Sequence, residues 1–359
     1  MARDFTVAEA IELQRVGCLH AGSPLYGRLL EGMAVDHAAG GLTARLLDPY
    51  PGRPVHDALP LRMLGAVHRI VLEGRAPDLA RFYPSAGGTD TDDPVPALLA
   101  VLEAHEDEVR RGLDRGVQTN EVGRAAVLAP GFALVARRGG LPLRLREVGS
   151  SAGLLLRWDA YSYRVGDQEL GDPHSPLVFT DSWVEPPPDL RGAVVVADRK
   201  GVDPAPIDAS SADGQLTLLS FVWPDQVHRL ERLRAALAVA ADHPVTIDVG
   251  DAGPWVEQEL RTTPRTAEDR ADPMEGVTTV VYHSIVLQYV PPESRRRMRA
   301  ALDRAGAAAR PSAPVAWLRM EPAGPVADLR LTWWPGGVET RLATCGYHGT
   351  EVHWLVGPD

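Results

Sequence analysis

Leu143-Arg144-Leu145-Arg146-Glu147-Val148-Gly149-Ser150-Ser151-Ala152-Gly153-Leu154 is the stretch on which the fold turns. Alternating apolar and charged residues over 143–148 read as a strand that stops at an acid. Gly149 and Gly153, with only small residues between them, read as a tight turn whose backbone can approach a ligand where any Cβ would collide. Apolar residues resume at Leu154, Leu155 and Leu156, so a helix is expected there. The free N–H groups of its first turn would favour a polar or anionic group. Strand, glycine turn and helix in that order form the place where doubly wound α/β folds hold a nucleotide-like ligand.

Working outward, the chain before this stretch has helical periodicity. Ala8, Ile11, Leu13, Val16 and Leu19 form one apolar stripe, broken at Gly22-Ser23-Pro24; Tyr26 to Ala34 form a second, ending by Gly40-Gly41. A third runs from Leu61 to Val71, a fourth from Pro96 to Leu113 and a fifth from Asn120 to Ala136. A helical cap domain is therefore expected over 1–140. From 141 to 359 short apolar strands alternate with helices, the signature of a parallel α/β sheet. The strands are read at 143–148, 193–197, 245–249, 277–282 and 315–320, followed by a meander at 329–334, 341–344 and 352–356. An insertion at 161–190 contains a hairpin-like Tyr161–Val165. Trp223-Pro224-Asp225-Gln226 reads as the start of a long helix, with Pro at its first position and an acid in its first turn.

A net charge of −11 argues against a nucleic-acid partner, because phosphate contacts need concentrated Lys and Arg. The one basic cluster, Arg295-Arg296-Arg297 with Arg299 and Arg304, falls on the solvated face of an amphipathic helix anchored by Met298, Ala301 and Leu302. No apolar run is long enough to span a bilayer, and Met1–Ala10 lacks the apolar region of a signal peptide. Two cysteines, Cys18 and Cys345, give neither a disulfide framework nor a zinc cluster. A cytoplasmic protein acting on a small molecule, without metal or membrane, is the expectation.

In an open α/β sheet the ligand lies beyond the carboxyl ends of the strands. Those ends carry Glu147 and Gly149, then Asp203, then Asp251, then His283 and Ser284. An acid after the second strand can accept hydrogen bonds from two ribose hydroxyls, and one after the third from an adenine amino group. With the first turn around an amino-acid moiety, the set describes S-adenosylmethionine (SAM). The order Glu147-x-Gly149-x-x-Ala152-Gly153, Gly201-Val202-Asp203, Gly250-Asp251-Ala252 and Val280-Val281-Tyr282-His283-Ser284 resembles class I SAM-dependent methyltransferases. The whole chain also resembles a bacterial family of unknown function numbered 2332. Gly22–Tyr26, Val117–Arg124, Ser220–Gln226 and Gly346–Gly349 carry that likeness.

The methyltransferase resemblance implies a Rossmann-like sheet and methyl transfer from SAM to a small acceptor. It places Gly149, Ser151 and Gly153 around the methionine portion and Glu147 at its amino group. Asp203 would take the ribose, Asp251 with Ala252 the adenine, and His283 and Ser284 would face the methyl. His283 or His348 would serve as general base for a protonated acceptor. Asn120, Glu121 and Arg124 are candidates to close over the cofactor or bind substrate, and Trp223 to line an apolar pocket.

Plainer readings compete. Glu147 could pair with Arg144 or Arg146, Asp203 could shape a turn, Asp251 could cap a helix and His283 could be a satisfied core residue. Gly149-x-Ser151-x-Gly153 also fits the nucleophile elbow of a serine hydrolase, with His348 and an acid such as Asp328 in the right chain order. The sheet such an elbow needs upstream is missing. A third class is a non-catalytic protein that binds SAM or a related nucleoside.

Overall fold

The computed structural model describes residues 5–118, 120–187, 189–190, 192, 194–261 and 274–357. In chain order its helices are α1 (Val7–His20), α2 (Pro24–Ala38), α3 (Leu42–Leu47), α4 (Leu59–Leu72), α5 (Pro77–Ala80), α6 (Val95–Ala104), α7 (Glu106–Gly112), α8 (Ala125–Gly139), α9 (Ala212–Ser220), α10 (Val227–Asp242), α11 (Ala252–Glu259) and α12 (Pro292–Ala308). Its strands are β1 (Leu143–Val148), β2 (Ser162–Val165), β3 (Gln168–Gly171), β4 (Val178–Phe179), β5 (Trp183–Glu185), β6 (Val196–Asp203), β7 (Thr246–Val249), β8 (Thr278–Ser284), β9 (Val315–Ala323), β10 (Val326–Trp334), β11 (Val338–Cys345) and β12 (Val352–Trp354). The chain divides into two compact units, residues 1–119 with 211–233 and residues 120–210 with 234–359. Where the sequence suggested a single boundary at 140, α8 belongs to the second unit and the segment 211–233 to the first.

The first unit is helical around one apolar core that includes Tyr26, Leu29, Met33, Leu64, Val67 and Leu102. Thr6 and Glu9 start α1 with a capping box, in which the Thr6 hydroxyl accepts from the Glu9 N–H and the Glu9 carboxylate accepts from the Thr6 N–H. The helix expected over Pro96–Leu113 is two, α6 and α7, divided at His105, and the acids Glu106, Asp107 and Glu108 fill the first turn of the new helix. Trp223–Gln226 does not open α10, which begins at Val227. The Asp225 carboxylate accepts instead from the Ser23 hydroxyl (2.7 Å) and the Leu25 N–H (2.9 Å), capping α2 from two hundred residues away.

The second unit is a mixed α/β structure with a nine-stranded sheet in the order β5-β12-β11-β10-β9-β8-β1-β6-β7. From β7 to β9 all neighbours are parallel, β9 to β12 form an antiparallel meander, and β5 adds parallel to β12 at the edge. The strand expected at 193–197 lies later, at Val196–Asp203, where it pairs parallel with β1 from Leu143 opposite Val196 to Val148 opposite Val202. Its Asp198, Arg199 and Lys200 form ion pairs with Arg146, Asp159 and Asp248; Ala193 is outside the described residues. Chain order reverses beside β1, passing to β6 and β7 on one side and back to β8 on the other. In open α/β sheets a reversal of this kind is where ligands are seated. On the Glu147 face, Phe132 of α8 packs edge-on against Tyr282 at 4.9 Å and stacks on Trp158 at 4.8 Å. On the opposite face α11 and α12 cover Val148, Val202, Val281 and Trp317. Among the described residues no helix is long and apolar enough to cross a membrane.

Candidate functional site

The turn after β1 is built as read but used differently. Gly149 (φ +73°), Ser151 (φ +50°) and Gly153 (φ +67°) all occupy the left-handed region. A Cβ on Gly149 would stand 2.3 Å from Val286, and one on Gly153 2.9 Å from Val245 and 3.0 Å from Ile247. Val286, Val245 and Ile247 therefore occupy the space that side chains at 149 and 153 would need. The helix expected after the turn is a 3-10 helix over Leu155–Ala160. Its lead-in is already satisfied, since the Leu154 N–H donates to Asn120 Oδ1 at 3.0 Å. Gly149 and Ser150 donate to the Val202 carbonyl, and Arg157 donates to the carbonyls of Ala152 and Gly153. So the loop is an internally bonded corner in which the N–H groups of Gly149, Ser150, Ser151, Gly153 and Leu154 are engaged within the chain.

What remains unspent is side-chain chemistry. Ser151 Oγ is a buried atom with no hydrogen-bond partner, and the buried Glu147 carboxyl and Tyr282 hydroxyl lie close enough to interact with each other. Glu147 and Tyr282 are register partners on β1 and β8, on one face of the sheet at the point of reversal. Burial first, and then the Asp203 carboxylate, push the Glu147 carboxyl well above the usual carboxylate range. Burial and the nearby Glu147 likewise push the Tyr282 hydroxyl up. The plainer reading of Glu147 does not hold: Arg144 and Arg146 both hydrogen-bond Glu259, at 2.9 and 2.7 Å, and Arg146 also pairs with Asp198. Buried polar groups are paired in the great majority of cases, so Ser151 Oγ calls for a polar partner.

Asp203 ends β6 beside this corner. Its Oδ2 accepts the Ser151 N–H and its Oδ1 the Ala205 N–H, both at 2.9 Å, so it shapes the loop and keeps one lone-pair position on each oxygen. Asp251 caps α11 by accepting from the Gly253 N–H and also bonds the Ser294 hydroxyl; Ala252 beside it is buried. Ser284 closes β8, and its carbonyl accepts from Arg124 Nη1 at 3.0 Å. Arg124 reaches the Tyr347 carbonyl as well, at 3.1 Å, and Asn120 reaches Leu154, so the 120–124 segment crosses the carboxyl ends of β1 and β8. Glu121 is buried and caps the 3-10 turn Val122–Arg124 through the Gly123 N–H. His348 sits half-buried in the turn after β11, where a Cβ on the adjacent Gly349 would meet the Gly123 carbonyl at 2.3 Å.

Two residues expected at the site are employed elsewhere. The Trp317 indole N–H donates to His283 Nε2 at 3.0 Å, so that nitrogen holds a lone pair and the proton lies on Nδ1, which donates to Glu321 at 2.6 Å. With both nitrogens committed and the ring fully buried, His283 is a neutral positioning residue with no nitrogen open to an acceptor. Trp223 belongs to the helical unit and packs against its core beside Tyr26, with ring centroids 6.1 Å apart. The hydrolase constellation is not assembled: Ser151 Oγ has no hydrogen-bond partner, and Asp328 is spent on Arg330 (2.8 Å) and Arg341 (2.6 Å).

Sequence reasoning missed Tyr282 as a polar group, and it missed Glu321. Glu321 follows Met320 at the carboxyl end of the fifth parallel strand, where the same strand-end rule would have found it. Its Oε1 accepts from His283 and the Val286 N–H, while its Oε2 is buried without a partner. Ile285, at φ +52°, is a β-branched residue in the left-handed region just past β8, a kind of strain that clusters at functional sites. No sequence signal marks it.

The family model described as "Uncharacterized protein conserved in bacteria (DUF2332)" matches residues 8–354. No curated protein matches the chain.

Proposed function

We propose, for a chain that belongs to the bacterial DUF2332 family, that the second unit is a SAM-dependent methyltransferase acting on a small-molecule acceptor. The observation that carries this reading is the buried polar cluster of Glu147, Ser151 and Tyr282 at the point where strand order reverses. The central β1, with β6 and β7 on one side and β8 and β9 on the other, is the order expected of a Rossmann-like methyltransferase sheet. Two features differ from that pattern: the 3-10 helix after β1, and β10 returning directly from β9 without a helix.

The donor set fits the group. SAM, when bound, supplies a methyl group already activated on a sulfonium. Glu147 would hold its ammonium, and a cation there offsets the burial that disfavours the charged carboxylate. Asp203 retains acceptor positions for ribose hydroxyls, and Asp251 with Ala252 would flank the adenine. Catalysis would then be mostly positioning by the internally bonded corner and the 120–124 segment. His283 orients Glu321, and His348 is the imidazole left as a candidate base for a protonated acceptor.

Calorimetric titration of the full chain with SAM and S-adenosylhomocysteine tests the reading, repeated on Glu147→Gln and Asp251→Ala. Micromolar binding weakened at least tenfold by Glu147→Gln is expected. Heats absent for both compounds would overturn it. Binding without product across a panel of acceptors would favour the non-catalytic nucleoside-binding alternative.

A further inference from the structure

The helical unit contains a cleft of about 300 Å³ formed by α4, by α7 with the turn after it, and by α9. Its floor is small by necessity. A Cβ on Gly65 would stand 2.7 Å from the Phe221 ring, and one on Gly112 2.6 Å from Ala66. Its walls are cationic: Arg69, Arg75, Arg111 and Arg115 line it against the two acids Glu73 and Glu108.

Carboxylates engage only half of that charge directly. Arg75 grips Glu108 with both arms, at 2.9 and 2.6 Å, and reaches Glu73 at 2.7 Å. Arg69 bridges Glu73 at 3.1 Å and Asp213 at 2.7 Å. The Thr217 hydroxyl then accepts from both Arg69 (2.9 Å) and Arg115 (3.4 Å), drawing two guanidinium groups onto one neutral oxygen. Glu73 and Asp213 offset the charge of Arg69, and that of Arg115 has no carboxylate in direct contact among the described residues. Among the described residues the Arg115 side chain makes only that long bond, and the Arg111 guanidinium makes no hydrogen bond, although its charge acts on Glu108. Both present unused forks to the cleft, and a guanidinium fork matches the oxygens of a phosphoryl group.

We infer that this cleft binds a phosphoryl dianion, free or carried by a small organic molecule, gripped by Arg111 and Arg115. Thr217 and Ser220 are buried at its base, and the Phe221 ring offers an apolar wall to the remainder of an ester. The inference rests on the helical unit alone and stands apart from the methyltransferase reading.

The test is calorimetric titration of the full chain with inorganic phosphate and with phenyl phosphate at constant ionic strength. The proteins compared are wild type, the double variant Arg111→Gln/Arg115→Gln, and a surface control, Arg299→Gln/Arg304→Gln on α12. All four arginines are exposed, so folding, checked by an unchanged thermal midpoint, is preserved. Saturable one-to-one binding weakened at least tenfold in the double variant and unchanged in the control is expected. Tighter binding of phenyl phosphate identifies an ester as the ligand, and equal binding the ion itself. No saturable binding of either probe would overturn the inference, as would equal weakening in the control or none in the double variant.

Discussion

Glu147 shows how one residue can be a liability to the fold and an asset to a site. Its folded-state carboxyl lies well above the usual range, so the folded protein holds that proton more tightly than the unfolded chain. The stability it contributes is intact below the ordinary carboxylate range and is lost as pH rises through the folded value. Glu147→Gln is therefore expected to unfold later than wild type near neutral pH, by about 1–3 kcal/mol. Thermal melts from about pH 5 to about pH 8 should show the gap closing toward acid; a gap independent of pH would contradict the assignment. His283 should behave in the opposite way. Its removal strands the Trp317 N–H and a Glu321 oxygen in the interior, so His283→Ala should cost about 2–4 kcal/mol, read as a lower urea midpoint at unchanged slope. Full retention of stability would return His283 to the list of candidate bases.

At the scale of elements, local pattern was legible wherever an element depends on its own residues. The strand over Leu143–Val148 and the helix stripe over Leu61–Val71 are where periodicity puts them. It was least legible where a distant group completes an element. Pro224 and Asp225 carry the marks of a helix start, yet the carboxylate serves α2 and α10 begins later. Asp225→Ala should destabilise the helical unit by about 1–2 kcal/mol, the usual worth of a cap. Ser23→Ala should cost less, because the Leu25 N–H keeps its bond to Asp225. The two variants are compared by urea denaturation, and equal effects would mean that the hydroxyl bond, not the bond to Leu25, carries the cap. The glycines of the β1 corner repeat the point, since Val286, Val245 and Ile247 fill the space that their missing side chains leave.

For the whole molecule, the helical unit is discontinuous in sequence. Residues 211–233 give it the Ser220 carbonyl on His68 Nδ1 (3.1 Å), Asp213 and Thr217 on Arg69, and Asp225 on α2. A fragment ending at residue 140 lacks these groups and carries α8 without its partners. Expressed alone, it should show no cooperative unfolding transition, whereas residues 5–118 joined to 211–233 by a flexible linker should show one. Circular dichroism during urea titration distinguishes the two. A cooperative transition in the first fragment would mean that 211–233 is dispensable to the unit.

By itself the sequence determined the α/β class, the strand-end acids Glu147, Asp203 and Asp251, the corner after β1 and the family likeness. Each of these rests on side-chain period, backbone permissiveness or order along the chain, which are properties of neighbouring residues. Only the tertiary structure decided that Arg144 and Arg146 belong to Glu259, that Trp317 and Glu321 hold both nitrogens of His283, and that Trp223 packs with the helical unit. Those outcomes depend on which partner stands within 3 Å of a donor once strands are set side by side. A linear pattern cannot carry that information, because each of these groups could form the same bond with many residues of the chain.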